Sequence, residues 1–302
     1  MPAKSCHYSM KKHPLDFNGC SRTIFCLAAA VIFLFSRNAP AAQVIQTLPF
    51  YDSFDYNPAA GLANASSTVW ETCYATSNIQ VTNNNLTLTG FVPSAGNGAA
   101  GVTTKATRFA GTQFTSQTAA DGKTVYFSFL YQIAAYPTTN GVIAFLDATN
   151  IGTSSSAPMP GTTALALLIN HAGQVGINAG SPSVTGAQYE PSATPLNTTV
   201  LVVARYTFHT SPATDVVDLW INPNSANYGA ASAPASDISL MAKGNWPSLA
   251  DFTMSFNNGD STFVDKWDEV RIGTTWAQVV PSSNLPGPAS AAHSDMLSAT
   301  PA

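Results

Sequence analysis

Charge is scarce in this chain: Asp, Glu, Lys and Arg make up only 9% of its 302 residues, and the 12 bases are outnumbered by 16 acids. Five of those bases lie before residue 42, so the stretch 42–282 keeps seven bases, spread singly, against fourteen acids. That pattern offers no footprint for a phosphate backbone and excludes nucleic acid as a partner. Cysteine is equally scarce. Cys6, Cys20 and Cys26 belong to the first segment, which leaves Cys73 alone in the rest, so no internal disulfide is expected and the core must carry stability. Beside Tyr74, Cys73 reads as a small apolar residue. His171 and His209 stand in separate segments without Cys or carboxylate at ligand spacing, which argues against zinc. Helical periodicity, a G-x-S-x-G elbow, a Walker loop and an EF-hand loop are all missing.

The first segment has the order of an export signal. Lys4, Lys11, Lys12 and Arg22 precede the apolar run Ile24 to Phe35, and "APA" at Ala39 to Ala41 offers a small-residue cleavage site. The run is shorter than the roughly 20 residues of a spanning helix. The expected organisation is a signal peptide over 1–41, a domain over 42–282 and a disordered tail over 283–302, with no membrane span in the mature chain.

Within the domain, short runs rich in Val, Ile, Phe, Thr and Tyr alternate with Gly, Pro, Asn and Ser clusters. This predicts an all-β, two-sheet antiparallel sandwich. In "TVYFSFLYQ", Val125, Phe127, Phe129 and Tyr131 share one face, while Tyr126, Ser128, Leu130 and Gln132 share the other. The second face is only partly polar, so this strand is expected at the centre of a sheet. The spacers Gly152 to Thr163 and Tyr228 to Asp237 read as surface loops. "GNGAAG" (Gly96 to Gly101) matches a dinucleotide-binding fingerprint in its letters, but Pro93 precedes it and "VTT" follows, so it reads as a flexible hairpin loop rather than a helix entrance.

Three places invite a functional reading. The densest charge lies in Phe263 to Trp276, where regular alternation would put Asp265 and Glu269 on one face about 13 Å apart, wider than the 5 to 9.5 Å of glycosidase pairs. It is therefore read as a strand with Val270 and Ile272 in the core and Trp267, Glu269 and Arg271 on the opposite face. On that reading Glu269→Gln is nearly silent. The second place is the hairpin Leu201 to Pro223: a turn centred on Ser211 and Pro212 sets Arg205 opposite Asp218, with Trp220 on the same face. An exposed ring beside a charged, hydrogen-bonding pair would suit a sugar, so Arg205, Asp218 and Trp220 are the candidate binding residues. Third, loop carboxylates such as Asp147 or Asp260 would suit calcium, the one cofactor left open.

"PFYDSFDY", "LVVARYTF" with "DVVDLWINP", and above all "DEVRIGTTW" resemble the concanavalin A-like, laminin-G-like jelly-roll proteins exported by bacteria, many of which carry a PEP-CTERM sorting signal. The similarity runs over about residues 49–281. After Pro281, "SSNLPGP" and a polar remainder stand where that signal would have V-P-E-P, an apolar span and a basic end. The resemblance implies a jelly roll in an extracellular setting. Together the residues and the resemblance point to a secreted, non-catalytic recognition or structural module, with extracellular polysaccharide or envelope glycan as the ligand class. The other class open to this fold is a polysaccharide hydrolase or lyase.

Overall fold

A computed structural model describes residues 43–283 apart from 59–60, 67, 75–78, 84, 102–107, 149–162, 182, 184, 212, 243 and 257–262. The expected signal segment, nearly all of the Gly152 to Thr163 spacer, Asp260 and nearly all of the expected tail lie outside the described residues.

In chain order the elements are β1 (Phe50–Asp52), α1 (Leu62–Ala65), β2 (Glu71–Tyr74), β3 (Gln80–Thr82), β4 (Gly98–Ala100), β5 (Arg108–Thr118), β6 (Thr124–Ile133), β7 (Gly141–Asp147) and β8 (Thr163–Ile169). They continue with β9 (Val175–Ala179), β10 (Gln188–Tyr189), β11 (Val200–Thr207), β12 (Val216–Ile221), a 3-10 turn at Ser225–Asn227, β13 (Ile238–Met241), β14 (Ser248–Phe256), β15 (Asp265–Gly273) and α2 (Trp276–Val279). The larger sheet runs β13-β12-β11-β6-β15-β4-β3, with β1 also paired to β15, and the smaller runs β10-β9-β8-β7-β14-β5-β2. Neighbouring strands in both are antiparallel. The fold is the expected jelly-roll sandwich. Among the described residues no helix is long and apolar enough to cross a membrane.

β6 takes the expected central place, between β11 and β15. Val125, Phe127, Phe129 and Tyr131 enter the core between the sheets, where Phe129 stacks on Trp267 at 3.9 Å between ring centroids. Its other face is buried too. Tyr126 and Leu130 join Leu201, Val203 and Trp220 in a second apolar cluster that Leu86, Phe91, Tyr228, Trp276 and Val279 complete from outside the sheet. The Tyr228 to Asp237 segment, expected to be only a surface loop, is therefore part of a cover: Tyr228 is buried in that cluster, and the Pro234 and Ala235 carbonyls accept from Trp220 Nε1. A central strand needs this cover because its apolar outer face would otherwise meet water, at about 25 cal/mol per Å².

A buried polar network holds the cover down. β15 carries a bulge between Asp268 and Arg271, and Glu269 adopts a left-handed φ of 55°. The extra residue shifts the alternation, so Trp267 joins Val270 and Ile272 in the core, contrary to the expectation from regular spacing. Asp268 and Glu269 both serve the cover. Asp268 accepts from Leu86 N at 2.8 Å and from Ser94 Oγ at 3.3 Å, and Glu269 accepts from Tyr51 Oη at 2.8 Å and from Ala95 N at 3.3 Å. Arg271, only 1% exposed, donates from Nη2 to Glu269 at 2.8 Å, and its guanidinium lies 3.9 Å from the Tyr51 ring centroid. Its Nε and Nη1 have no hydrogen-bond partner, so the Glu269 charge and the aromatic faces of Tyr51 and Phe91 are what compensate its burial.

"GNGAAG" also differs from its expected form. Residues 98–100 are β4, paired with β15 and β3 and buried, not a flexible loop. Gly96 takes φ +100°, and a Cβ there would stand 2.8 Å from the Ser53 carbonyl oxygen, so the glycine serves close backbone approach rather than a nucleotide.

Glu269→Gln is accordingly expected to be damaging rather than silent. Removing its charge leaves Arg271 buried without a counter-ion, a loss of about 3 kcal/mol or more, close to the roughly 3 to 5 kcal/mol of Trp276→Ala. Urea melts of both variants check this, and a loss under about 1 kcal/mol for Glu269→Gln would count against the network.

Candidate functional site

The predicted hairpin register holds: Arg205 pairs directly with Asp218. Arg205 Nε and Nη2 reach Asp218 Oδ2 at 2.9 and 2.8 Å, and Nη1 donates to Tyr126 Oη at 3.1 Å. Trp220 shares their face, as expected, and the Arg205 guanidinium lies 5.3 Å from its ring centroid. The ring, however, is 1% exposed, wedged against Tyr126 and Trp276 under the Tyr228 to Asp237 cover. Trp220 thus has no free face for a sugar to stack on, and the Arg205–Asp218 pair closes the edge of the second apolar cluster. The local hairpin pattern places all three residues correctly but contains no sign of a cover arriving from elsewhere in the chain.

The smaller sheet brings two carboxylates together. Asp147 on β7 pairs directly with Asp251 on β14, and Thr163 on β8 pairs with Asp147 from the other side. Their chain neighbours Leu146 and Phe252 enter the core, so the two acids belong to the outer face. Directly paired residues have Cβ atoms about 4.5 to 5.5 Å apart, close enough for the two carboxyls to act together. Both are buried, Asp147 at 0% and Asp251 at 2% exposure. Neither Asp147 oxygen makes a hydrogen bond that meets normal geometry. Burial raises its carboxyl to about 7, and the Thr163 hydroxyl opposes the shift only in part. Among the described residues no three His, Cys, Asp or Glu side chains gather where they could hold a metal ion.

An open site lies at one end of the sandwich, where the two sheets part. Val175 at the start of β9, Val200 at the start of β11 and Ile221 at the end of β12 form an apolar floor, and Glu190, Ser192, Thr194, Pro195 and Asn222 form the rim of a cleft of about 250 Å³. The rim is built by backbone bonds. Glu190 N donates to the Val175 carbonyl and Thr194 N to the Gly173 carbonyl, both at 2.8 Å, and Gln174 Nε2 holds the Pro191 carbonyl at 2.9 Å. Gly173, at φ +78°, lies flat against the Tyr136 ring, where a Cβ would come within 2.3 Å. Asn222 closes β12 in a left-handed turn, φ 50°, with Oδ1 accepting from Leu201 N at 2.8 Å.

Glu190 is the distinctive group of this cleft. Its Oε1 is buried and has no hydrogen-bond partner among the described residues. Burial raises its carboxyl, and the negative charge of Asp237 adds to the shift. An acceptor held out of water without a donor suits a site that takes its donor from a ligand. Sequence reasoning missed it because the lining of the cleft comes from three separated stretches, at Val175, Glu190 to Val200 and Ile221 to Asn222. The one local signal was a lone acid in "QYEPSATP" with no base nearby.

The raised carboxyls set a pH dependence. Asp147, at about 7, and Asp268, raised chiefly by burial to about 8, bind protons more tightly in the folded protein than at their ordinary 3.8. They therefore cost stability in full above pH 8, and the cost is relieved as pH falls through 8 and 7 toward 4. Asp147→Asn removes one of these charges and should raise stability at pH 8 by roughly 3 kcal/mol, with the difference from wild type vanishing near pH 4. Chemical melts across pH 4 to 9 check this; a variant less stable than wild type at pH 8 would contradict it.

Comparison with family models and with curated proteins gives no match for this chain. Among solved structures, the globular domain of T. cruzi calreticulin is similar over 74% of this chain and 87% of its own, at 10% identity and a TM-score of 0.45. A Shewanella oneidensis MR-1 protein of unknown function covers 79% and 91% at 14% identity, with a TM-score of 0.42. Lectin II from Ulex europaeus covers 75% and 97% at 11% identity, with a TM-score of 0.38. Likeness at this distance bears on no residue or ligand of the present chain.

Proposed function

We propose that this chain is an exported recognition module that binds glycan in the cleft at the end of its sandwich. One observation carries the reading: Glu190, whose Oε1 is buried and unpartnered, lines an open cleft whose floor is apolar and whose rim adds a hydroxyl at Ser192 and an amide at Asn222. A sugar ring offers the matching surfaces, a C–H face for Pro195 and Ile221 and hydroxyls for the rim. At about 250 Å³ the cleft lies just below the 300 to 1,000 Å³ of drug-sized sites, which suits one sugar unit of a longer chain. Export is supported by the basic, apolar and small-residue order of the first 41 residues.

The hydrolase reading keeps one observation in its favour, the directly paired Asp147 and Asp251, one of them with a carboxyl raised to about 7 as a general acid requires. Their burial favours the binding reading, since a polysaccharide has to reach both groups at once to be cleaved.

Polysaccharide pull-down with product analysis separates the two. The expected result is retention without release of new reducing ends, lost in Ser192→Trp, which fills the cleft from an exposed position, with the melt unchanged. Release of reducing ends that disappears in Asp147→Asn would establish the hydrolase instead.

A further inference from the structure

The cleft is one-sided in charge. Among the described residues no Lys, Arg or His lines it. Glu190 Oε1 is buried there without a partner, and Asp237, next to the β12 end of the cleft, is held by a 2.8 Å bond from Ile221 N to its Oδ2. Two acids in one place with no base would repel a uronic or sialic carboxylate. A neutral hydroxyl would satisfy one lone pair of Glu190 and leave its charge uncompensated.

Resting on the reading of this cleft as a glycan site, we infer that the group it selects is a primary ammonium on the sugar, so that a hexosamine with a free amine is its preferred unit. The ammonium brings three donors and a positive charge to Glu190, and a charge-assisted hydrogen bond is worth roughly twice a neutral one. N-acetylation removes the charge and two of the donors and adds a carbonyl that the acidic wall disfavours. The ring hydroxyls are left to Ser192 and to Asn222 Nδ2, which makes no bond among the described residues. The direction in which the Glu190 carboxyl is raised agrees with this: burial and the nearby Asp237 charge disfavour its carboxylate, and an arriving cation favours it.

The test is calorimetric titration of the secreted protein at pH 7 with three matched trisaccharides, of glucosamine, N-acetylglucosamine and glucose. The glucosamine trimer should bind at least about tenfold tighter than the other two, the size of one charge-assisted bond over a neutral one. Glu190→Gln should bring all three to similar affinity, with an unchanged melt as its folding control. Equal binding of the three by wild type overturns the selectivity and leaves the glycan reading standing. So does an amine preference that survives Glu190→Gln, because the amine is then read elsewhere. Failure of all three to bind overturns both readings.

Discussion

The buried Arg271–Glu269 pair at the β15 bulge is the contact on which the layered structure depends. An arginine only 1% exposed, flanked by Tyr51 and Phe91, is shielded from bulk solvent, so its carboxylate partner must be held in place. The bulge does this by turning Glu269 into a left-handed conformation that carries its side chain to the same face as Asp268. The two acids then bind backbone N–H groups of Leu86 and Ala95 and fasten that segment to the outer face of the larger sheet. One irregularity in one strand thus converts a two-layer sandwich into one whose larger sheet is covered on both sides, and it explains why the densest charge in the chain is sealed inside the protein.

How much of this could be read beforehand depends on how local each cause is. The two faces of β6 were legible because alternation within a strand is a local property, and its mixed second face announced its central place in the sheet. The Arg205–Asp218 register was legible because a short hairpin fixes its own pairing. The face of Trp267 was not, since a bulge at a non-glycine residue leaves no mark in the residue pattern. The burial of Trp220 was hidden for another reason: its cover arrives from Tyr228 to Asp237 and from α2, and nothing in the hairpin encodes their arrival. The cleft around Glu190 is the extreme case, built where β9, β11 and β12 end together.

This arrangement keeps the supporting network apart from the proposed recognition site. The outer face of the larger sheet, where a sugar-binding platform was expected, is given over to cover and polar fastening. The unpartnered Glu190 carboxyl stands instead at the end of the sandwich, on a loop tied by backbone bonds to β9 and to the Gly173 turn.

The central claim is that buried carboxylates, rather than apolar contact alone, hold the cover on the larger sheet. Native-state hydrogen exchange of the Leu86 amide, which donates to Asp268 at 2.8 Å from a segment with no regular secondary structure, tests it most directly. The account predicts protection comparable to the central strand β6 in the wild type, and loss of that protection at Leu86 in Asp268→Ala while β6 stays protected. Fast exchange at Leu86 in the wild type, at the rate of an exposed loop, would contradict it.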